Sequence, residues 1–308
     1  MNLKQVETFY WAAKLGSFSS AAQRLNATQS TISMRIIELE RDLGVELFDR
    51  SQRTARPTAK GRELLGYAEE LLRLTLEIQQ RIASEDATQG VLRVGVVEVI
   101  SVTWLPLLMQ RIHERFPRMI VELDEALTHD LIERLNQGSL DLIMIPGRVP
   151  GYSVTPLSLG YVEFSWMASP SLGIGDRVLR PKDMQNLPVI TLSRQSYHHT
   201  SIEDWFHSGD AYCKRLDTCK SFGVAKTLAI AGLGLTLLPP RFHQADIDAG
   251  LLQIVKTDPP FPLVEFTVTS AIESMEAAAP AVVKMAAEVS DFLTLPTGGT
   301  RLTTTTAA

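Results

Sequence analysis

The sequence predicts an α-helical head joined by one long helix to an α/β body, and three observations carry that reading. Residues 17–40 form two short helical patterns around a tight turn. Residues 61–83 repeat apolar side chains at intervals of three and four, the period of a helix that pairs along a seam. From residue 90 onward, short apolar strands alternate with amphipathic helices, which implies parallel pairing in an α/β layer structure.

In the head, Leu3, Val6, Phe9, Tyr10 and Ala13 define a first amphipathic helix over residues 3–15, ended by Gly16. Ser19, Ser20 and Ala21 start a second helix that turns Ala22 and Leu25 inward, and Asn26 and Ala27 break it. Thr28 is placed to cap a third. There Ile32, Ile36 and Leu39 share one face and are expected in the core, while Ser30, Met34, Ile37 and Arg41 point away, flanked by Gln29, Ser33 and Arg35. Such an outer face fits the major groove of DNA, where hydroxyls and amides read base edges and arginine pairs with phosphate or guanine. On spacing alone, a helical hairpin that merely packs is the competing interpretation.

Leu43, Val45, Leu47 and Phe48 are expected to return the chain to the same core. Residues 49–61 then carry Arg50, Arg53, Arg56 and Lys60 without a large apolar residue, as expected for a two-stranded wing along the DNA backbone. Residues 1–60 hold nine Lys or Arg against six Asp or Glu, a net of +3, which leaves −8 for the rest of a chain of formal charge −5. A basic head on an acidic body suits a module facing phosphate.

Leu64, Ala68, Leu71, Thr75, Ile78 and Ile82 form a heptad seam, so Leu64, Ala68, Leu71, Ile78 and Ile82 are expected to pair with a second copy of the chain, the competing interpretation being that the stripe packs on the chain's own body. Residues 84–90 are polar and end in glycine, a hinge. In the body, strands are expected at 91–97, 119–125, 141–145, 162–168, 187–192, 215–222, 233–239 and 262–271. Helices are expected at 104–116, 130–137, 200–207, 224–231 and 277–292, before a low-complexity tail. The start of the chain has no signal-peptide pattern and no apolar run is long enough for a membrane helix, so a cytoplasmic protein is expected.

The head carries a resemblance in Phe9, Gly16, Ser17, Ala21, Ala22, Leu25, Thr28, Gln29, Ser33, Ile36, Leu39, Glu40, Leu43, Gly44, Leu47, Phe48, Arg50, Thr58 and Gly61. In that order, these residues resemble the N-terminal motif of the LysR-type transcriptional regulators, and the likeness extends over nearly the whole chain. The resemblance implies a winged helix-turn-helix over 1–60, a linker helix and hinge over 61–89, and a sensor over 90–300 folded like a periplasmic binding protein. The sensor would consist of two α/β subdomains around a ligand cleft, one of about 90–161 and 268–295, the other of about 162–267, with 296–308 a disordered tail. The expected DNA-facing residues are Ser19, Thr28, Gln29, Ser30, Thr31, Ser33, Met34, Arg35, Arg50, Arg53 and Arg56. Met34 and Ile37 stand where relatives often carry basic residues, and Pro57 where leucine is usual.

For the sensor, hydroxyls beside helix starts make candidate anion sites. Ser101, Val102, Thr103, Thr128 and His129 on one subdomain, with Ser193, Arg194, Gln195, Phe222 and Gly223 on the other, are the candidate effector residues, and a small organic acid the expected effector. Simple helix capping is the alternative for any one of these hydroxyls. Cys213 and Cys219 raise a redox-responsive regulator as a second possibility, since peroxide-sensing members of the resembled family use two cysteines in that subdomain. The histidines at 198, 199 and 207 with Glu203 do not make a convincing metal site, and neither a metal nor a cofactor is expected. An enzyme on the α/β scaffold is the contrasting class, and no catalytic motif supports it. Expected partners are double-stranded promoter DNA, the effector, and further copies in a homodimer or homotetramer, with RNA polymerase a further candidate.

Overall fold

The computed structural model describes residues 1–49, 55–82, 90–149, 156–271 and 278–294. Its chain divides into two compact units: Met1–Met144 with Val149–Pro156 and Val268–Met285, and Ile145–Arg148 with Leu157–Thr267 and Ala286–Ala308.

The first unit opens with α1 (Leu3–Leu15), α2 (Phe18–Arg24) and α3 (Gln29–Leu43), followed by the long α4 (Ala59–Ile82). Each of the first three has a polar start. Asn2 and Gln5 form a capping box on α1, the Ser17 side chain accepts from Ser20 N–H on α2, and Thr28 accepts from Thr31 N–H on α3. Gly16 and Gly44 stop α1 and α3 in the left-handed region, at φ 62° and 68°. Val6, Phe9, Tyr10, Ala21, Ile32, Ile36 and Leu39 are buried together with Leu47 and Phe48. Each large apolar side chain buried in this way contributes about 1.5–3 kcal/mol. Leu43 and Val45, expected in that core, are exposed at its rim, because the turn after Gly44 carries the chain outward before Leu47 re-enters.

The wing has a visible base. Phe48 and Pro57 bridge as antiparallel partners, with Asp49 N–H donating to Arg56 O at 2.9 Å and Thr58 N–H to Leu47 O at 2.9 Å. Those two bonds lie on either side of Pro57, so its missing N–H costs nothing. Arg50 and Arg53 lie outside the described residues, as does the hinge of residues 84–89.

The body of the first unit contains β1 (Gly90–Val96), α5 (Glu98–Ser101), α6 (Leu105–Arg115), β2 (Met119–Glu125) and α7 (Thr128–Asn136), and the chain leaves it within β3 (Leu142–Pro146). β1 pairs in parallel with β2, from Gly90 opposite Met119 to Val96 opposite Glu125, and with β3 on its other side. At Gly95 an added Cβ would lie 2.7 Å from Leu140 and 2.8 Å from Leu131, so the ends of these two leucines pack directly against the strand backbone. Within this unit the sheet order is β2-β1-β3.

The second unit contains β4 (Leu157–Val162), β5 (Ser165–Ala168), α8 (Pro181–Met184), β6 (Pro188–Leu192), α9 (Tyr197–Ser208) and β7 (Arg215–Cys219). α10 (Phe222–Ile230), β8 (Leu235–Leu238), α11 (Gln244–Asp248) and β9 (Gln253–Ile254) follow. The chain returns within β10 (Val264–Ser270), and α12 (Ala279–Val289) is the last helix. The second sheet runs β7-β6-β8-β5-β9, with β6 parallel to β7 and β8. β5 departs from the expected parallel scheme by running antiparallel to both β8 and β9. The single strand expected over 162–168 is two strands, β4 ending at Val162 and β5 beginning at Ser165. Among the described residues, no helix is long and apolar enough to cross a membrane.

Candidate nucleic-acid interface and sensor edges

α3 presents a continuous outer face. Gln29 and Ser30 are exposed at its start, Thr31 and Ser33 are half-buried on its flanks, and Met34 and Ile37 are 60% and 54% exposed. Two large apolar side chains kept in water on a helix whose other face is fully buried are costly unless something covers them. The first turn of α3 carries no acidic residue, so the positive end of the helix dipole is uncompensated and open to phosphate. Thr28 Oγ1 lies 2.8 Å from both Ser30 Oγ and Thr31 Oγ1, which gathers three hydroxyls at that end. Replacing Thr28 with alanine removes the cap and is expected to cost about 1 kcal/mol in urea unfolding of the head, while Thr28→Ser restores it. Ser19 on α2 and Arg56 at the wing base are also exposed.

Arg35, expected at the DNA, is turned the other way. Its Nη1 donates to Thr8 Oγ1 on α1 at 3.3 Å. Beside it burial raises the Glu7 carboxyl, against the opposing pull of Arg35 and Arg24. Arg35 therefore fastens α3 to α1. Glu40, which the helical period leaves at the edge of the core, is buried and accepts from Leu47 N–H at 2.7 Å and Phe48 N–H at 3.2 Å through one oxygen. That carboxylate sets the angle between α3 and the wing.

α4 serves two surfaces. Ala68 and Leu72 are buried in the core of the head, with Leu64 and Leu65 partly buried beside them. Leu64 and Ala68, expected on the pairing seam, thus belong to the head, because their face of α4 turns toward α1. Tyr67, Leu71, Leu74 and Ile78 form a separate exposed stripe at spacings of four, three and four. Ile82 ends the helix, and its side chain lies outside the described residues.

At the carboxyl edge of the first unit's sheet, Ser101 ends the short α5 instead of starting a helix, and Val102 is exposed. Ser101 Oγ donates to Glu98 O and to the Glu125 carboxylate, while Thr103 Oγ1 donates to Val99 O at 2.7 Å. Of the hydroxyls expected at an anion site, Ser101 and Thr103 here bond to their own helix and, for Ser101, to an acid. Thr128 is buried as the first residue of α7, whose preceding Leu127 provides no side-chain cap, and His129 is exposed.

In the second unit, α9 follows β6 and α10 follows β7, and the two parallel strands end side by side, with Ser193 N–H donating to Cys219 O at 2.8 Å. Both helices therefore start on one edge. Their caps are Ser196, which accepts from His199 N–H at 3.1 Å, and Ser221, which accepts from Gly223 N–H at 3.1 Å. Ser193, read as a candidate cap, instead bonds Gln195 Oε1 at 2.9 Å, and Arg194 and Gln195 are exposed beside it. The His198 ring lies between Phe164 and Phe222, at centroid distances of 5.4 and 4.9 Å, and burial pushes its pKa down to about 3. His199 meets Leu192 O through Nδ1 at 3.0 Å. Ser196 and Ser221 are visible in the sequence as hydroxyls before helical patterns and His198 only as one of the histidines weighed for a metal site, while nothing in the sequence marks Glu125.

The two thiols are spent locally. Cys213 Sγ donates to Arg215 O at 3.2 Å and burial raises its pKa, and Cys219 Sγ lies 3.3 Å from Ser221 O. The burial of Cys213 does not favour its thiolate.

Residues 3–62 match the family model described as bacterial regulatory helix-turn-helix protein, lysR family, and residues 85–291 match that described as LysR substrate binding domain. BbuR of Bordetella bronchiseptica, an HTH-type transcriptional regulator, is 31% identical over 253 residues, which span 80% of this chain and 77% of the relative. CzcR of Bacillus anthracis, also so named, is 28% identical over 244 residues, 78% of this chain and 80% of the relative. Among solved structures, ArgP from Mycobacterium tuberculosis superposes with a TM-score of 0.61 at 18% identity, covering 93% of this chain and 97% of that one. LysG from Corynebacterium glutamicum, solved full-length with bound effector Arg, gives 0.61 at 22% identity, covering 94% and 99%. These two likenesses carry the fold.

Proposed function

The chain belongs to the LysR family of DNA-binding transcriptional regulators, which are not enzymes, and from that premise we propose how this member reads DNA and is switched. α3 enters the major groove with Gln29, Ser30, Thr31 and Ser33 toward base edges and phosphates, and with Met34 and Ile37 against thymine methyl groups. The observation that carries this reading is the outer face of α3, where two exposed apolar side chains follow an acid-free, hydroxyl-rich helix start. Arg56, with Arg50 and Arg53 of the wing, supplies phosphate contacts. Two copies joined along α4 present two such helices to a two-fold site in the cytoplasm.

The switch in this proposal is a small organic acid taken up by the substrate-binding domain. The second unit's edge supports an acid, because α9 and α10 direct their positive ends to it and Arg194 stands exposed there. The first unit's edge, taken by itself, offers a hydrogen-bond acceptor in Glu125, which is bonded to Ser101.

Fluorescence anisotropy with DNA flanking its own gene tests the DNA reading. Specific binding is expected to weaken steeply with salt, at a log–log slope of about −0.9 per phosphate neutralised. Met34→Ala with Ile37→Ala is expected to lower specific affinity about tenfold, within the usual cost of a lost base contact, and to leave the salt slope unchanged. Equal affinity for all sequences in the unmodified protein would overturn the reading.

A further inference from the structure

The head meets the body of the first unit at Asp141, the residue before β3. This carboxylate is 1% exposed; one oxygen accepts from Arg24 Nη2 of α2 at 3.0 Å, and the other from the Arg93 N–H of β1 at 2.8 Å. The Arg24 side chain is 9% exposed, and its guanidinium also lies over the Trp11 ring of α1 at 4.7 Å. Gly138, in the same turn as Asp141, lets that ring approach, since a Cβ added there would lie 2.8 Å from Trp11.

Around this pair the contact is incompletely filled. A cavity of about 470 Å³ remains between Ser20 and Gln23 of α2 and Gln137 and Ser139 of the turn, and of these Gln23, Gln137 and Ser139 are exposed. The joint is held by a buried ion pair beside open space, without the continuous close packing of a core. Such a pair adds little net stability over an apolar contact of the same shape, yet losing either partner strands a buried charge, and its best-attested use is to fix one arrangement. Undocked, Arg24 keeps an acid nearby, because it also attracts the Glu7 carboxyl within the head. The arginine therefore has two settings, closed on Asp141 or open toward Glu7 and water.

Asp141 is tied as well to the strands by which the chain changes units. Its N–H donates to Arg93 O at 2.8 Å, and its carbonyl accepts from Ala271 N–H at 2.8 Å. Ala271 follows β10 and Asp141 precedes β3, the two strands within which the chain passes from one unit to the other. A shift in either strand moves the acid that holds the head. The outer face of α3 stays clear of the joint, with Gln29, Ser30, Met34 and Ile37 exposed, so a docked head can still face DNA. We propose that the Arg24–Asp141 pair is a latch that holds each head at a fixed angle to the body and that is opened by changes in β3 or β10. This rests on the two-copy DNA reading above. Closed latches preset the two α3 helices for one half-site spacing; open ones leave each head to bind on its own.

Fluorescence anisotropy of the full chain at low salt, with the DNA flanking its own gene, tests the latch by a double-mutant cycle. Asp141→Asn keeps an acceptor for the Arg93 N–H and removes the charge, and it is expected to lower specific affinity about tenfold in the paired chain, part of the gain that linked readers hold. In the Leu71→Glu background, where the chain is expected to be monomeric, the same substitution is expected to change affinity by less than about twofold. Arg24→Gln breaks the pair from the head side should Asp141→Asn fail to fold. A short bismaleimide joining Gln23→Cys to Ser139→Cys, in a chain that also carries Cys213→Ser and Cys219→Ser, reads the joint directly. Its cross-link within one chain is expected to form in the latched protein and to fall at least about threefold on adding Asp141→Asn or Arg24→Gln. A cross-link unchanged by both substitutions, equal losses of affinity for Asp141→Asn in the paired and monomeric backgrounds, or no loss in the paired chain would each overturn the latch alone. Equal affinity of the unmodified protein for all sequences would overturn the DNA reading and the latch's role with it.

Discussion

Glutamate at Leu71 or Ile78 is expected to leave the chain monomeric, and with that to weaken binding to a two-fold DNA site by more than a hundredfold. Both side chains stand on the exposed stripe of α4 with Tyr67 and Leu74, and neither is part of the head's buried core. In a two-fold pair every stripe residue is used twice, so one substitution removes two apolar contacts and sets two carboxylates into the seam. Burial of a leucine-sized side chain contributes about 1.5–3 kcal/mol, and two such losses exceed what most paired helices can spare. The DNA effect follows from effective concentration, because linking two readers multiplies affinity by roughly 10²–10⁴ and separation removes that factor. Sedimentation velocity checks the first step: an intact dimer at micromolar concentration in both variants would refute the seam. Ala68→Glu provides the contrast, since it is expected to unfold the head instead of dissociating the pair.

Glu40→Ala is expected to destabilise the head by about 3 kcal/mol, the scale of a charge-assisted bond together with the stranding of buried donors. The Leu47 and Phe48 N–H groups would lose their shared acceptor in a part of the chain that has no regular ladder to replace it. Glu40→Gln keeps an acceptor oxygen and is expected to lose only about 1 kcal/mol. Urea unfolding followed by circular dichroism would detect both, and a loss below about 0.5 kcal/mol for the alanine variant would show that water reaches those donors.

The core of the head was legible because Ile32, Ile36 and Leu39 recur at one helical spacing and all three are buried. α4 was only half legible. Two apolar stripes, one beginning at Leu64 and the other at Tyr67, run along the same helix, and neither period says which faces the head. The alternation of strands and helices in the body could be read, but the reversal at β5 could not, since a short apolar strand carries no sign of direction. At the sensor edges the sequence offered several hydroxyls for each helix start, and only geometry separates the cap Ser196 from Ser193. Arg35 shows a further limit: its charge is visible in sequence, but its partner Thr8 lies 27 residues away. Arg24 and Asp141 are 117 residues apart, with no local pattern to join them.

Asp141 has a consequence for protein engineering. One of its oxygens holds Arg24 of the head, the other accepts from the Arg93 N–H of β1 at 2.8 Å, and the whole carboxylate is 1% exposed. A regulator assembled by grafting this head onto a foreign sensor would leave that arginine without its acid, or bury the acid without its arginine. Interchangeable heads therefore have to travel with residues 137–141 of the body, and the boundary for a working chimera lies inside the sensor sequence and not at the hinge.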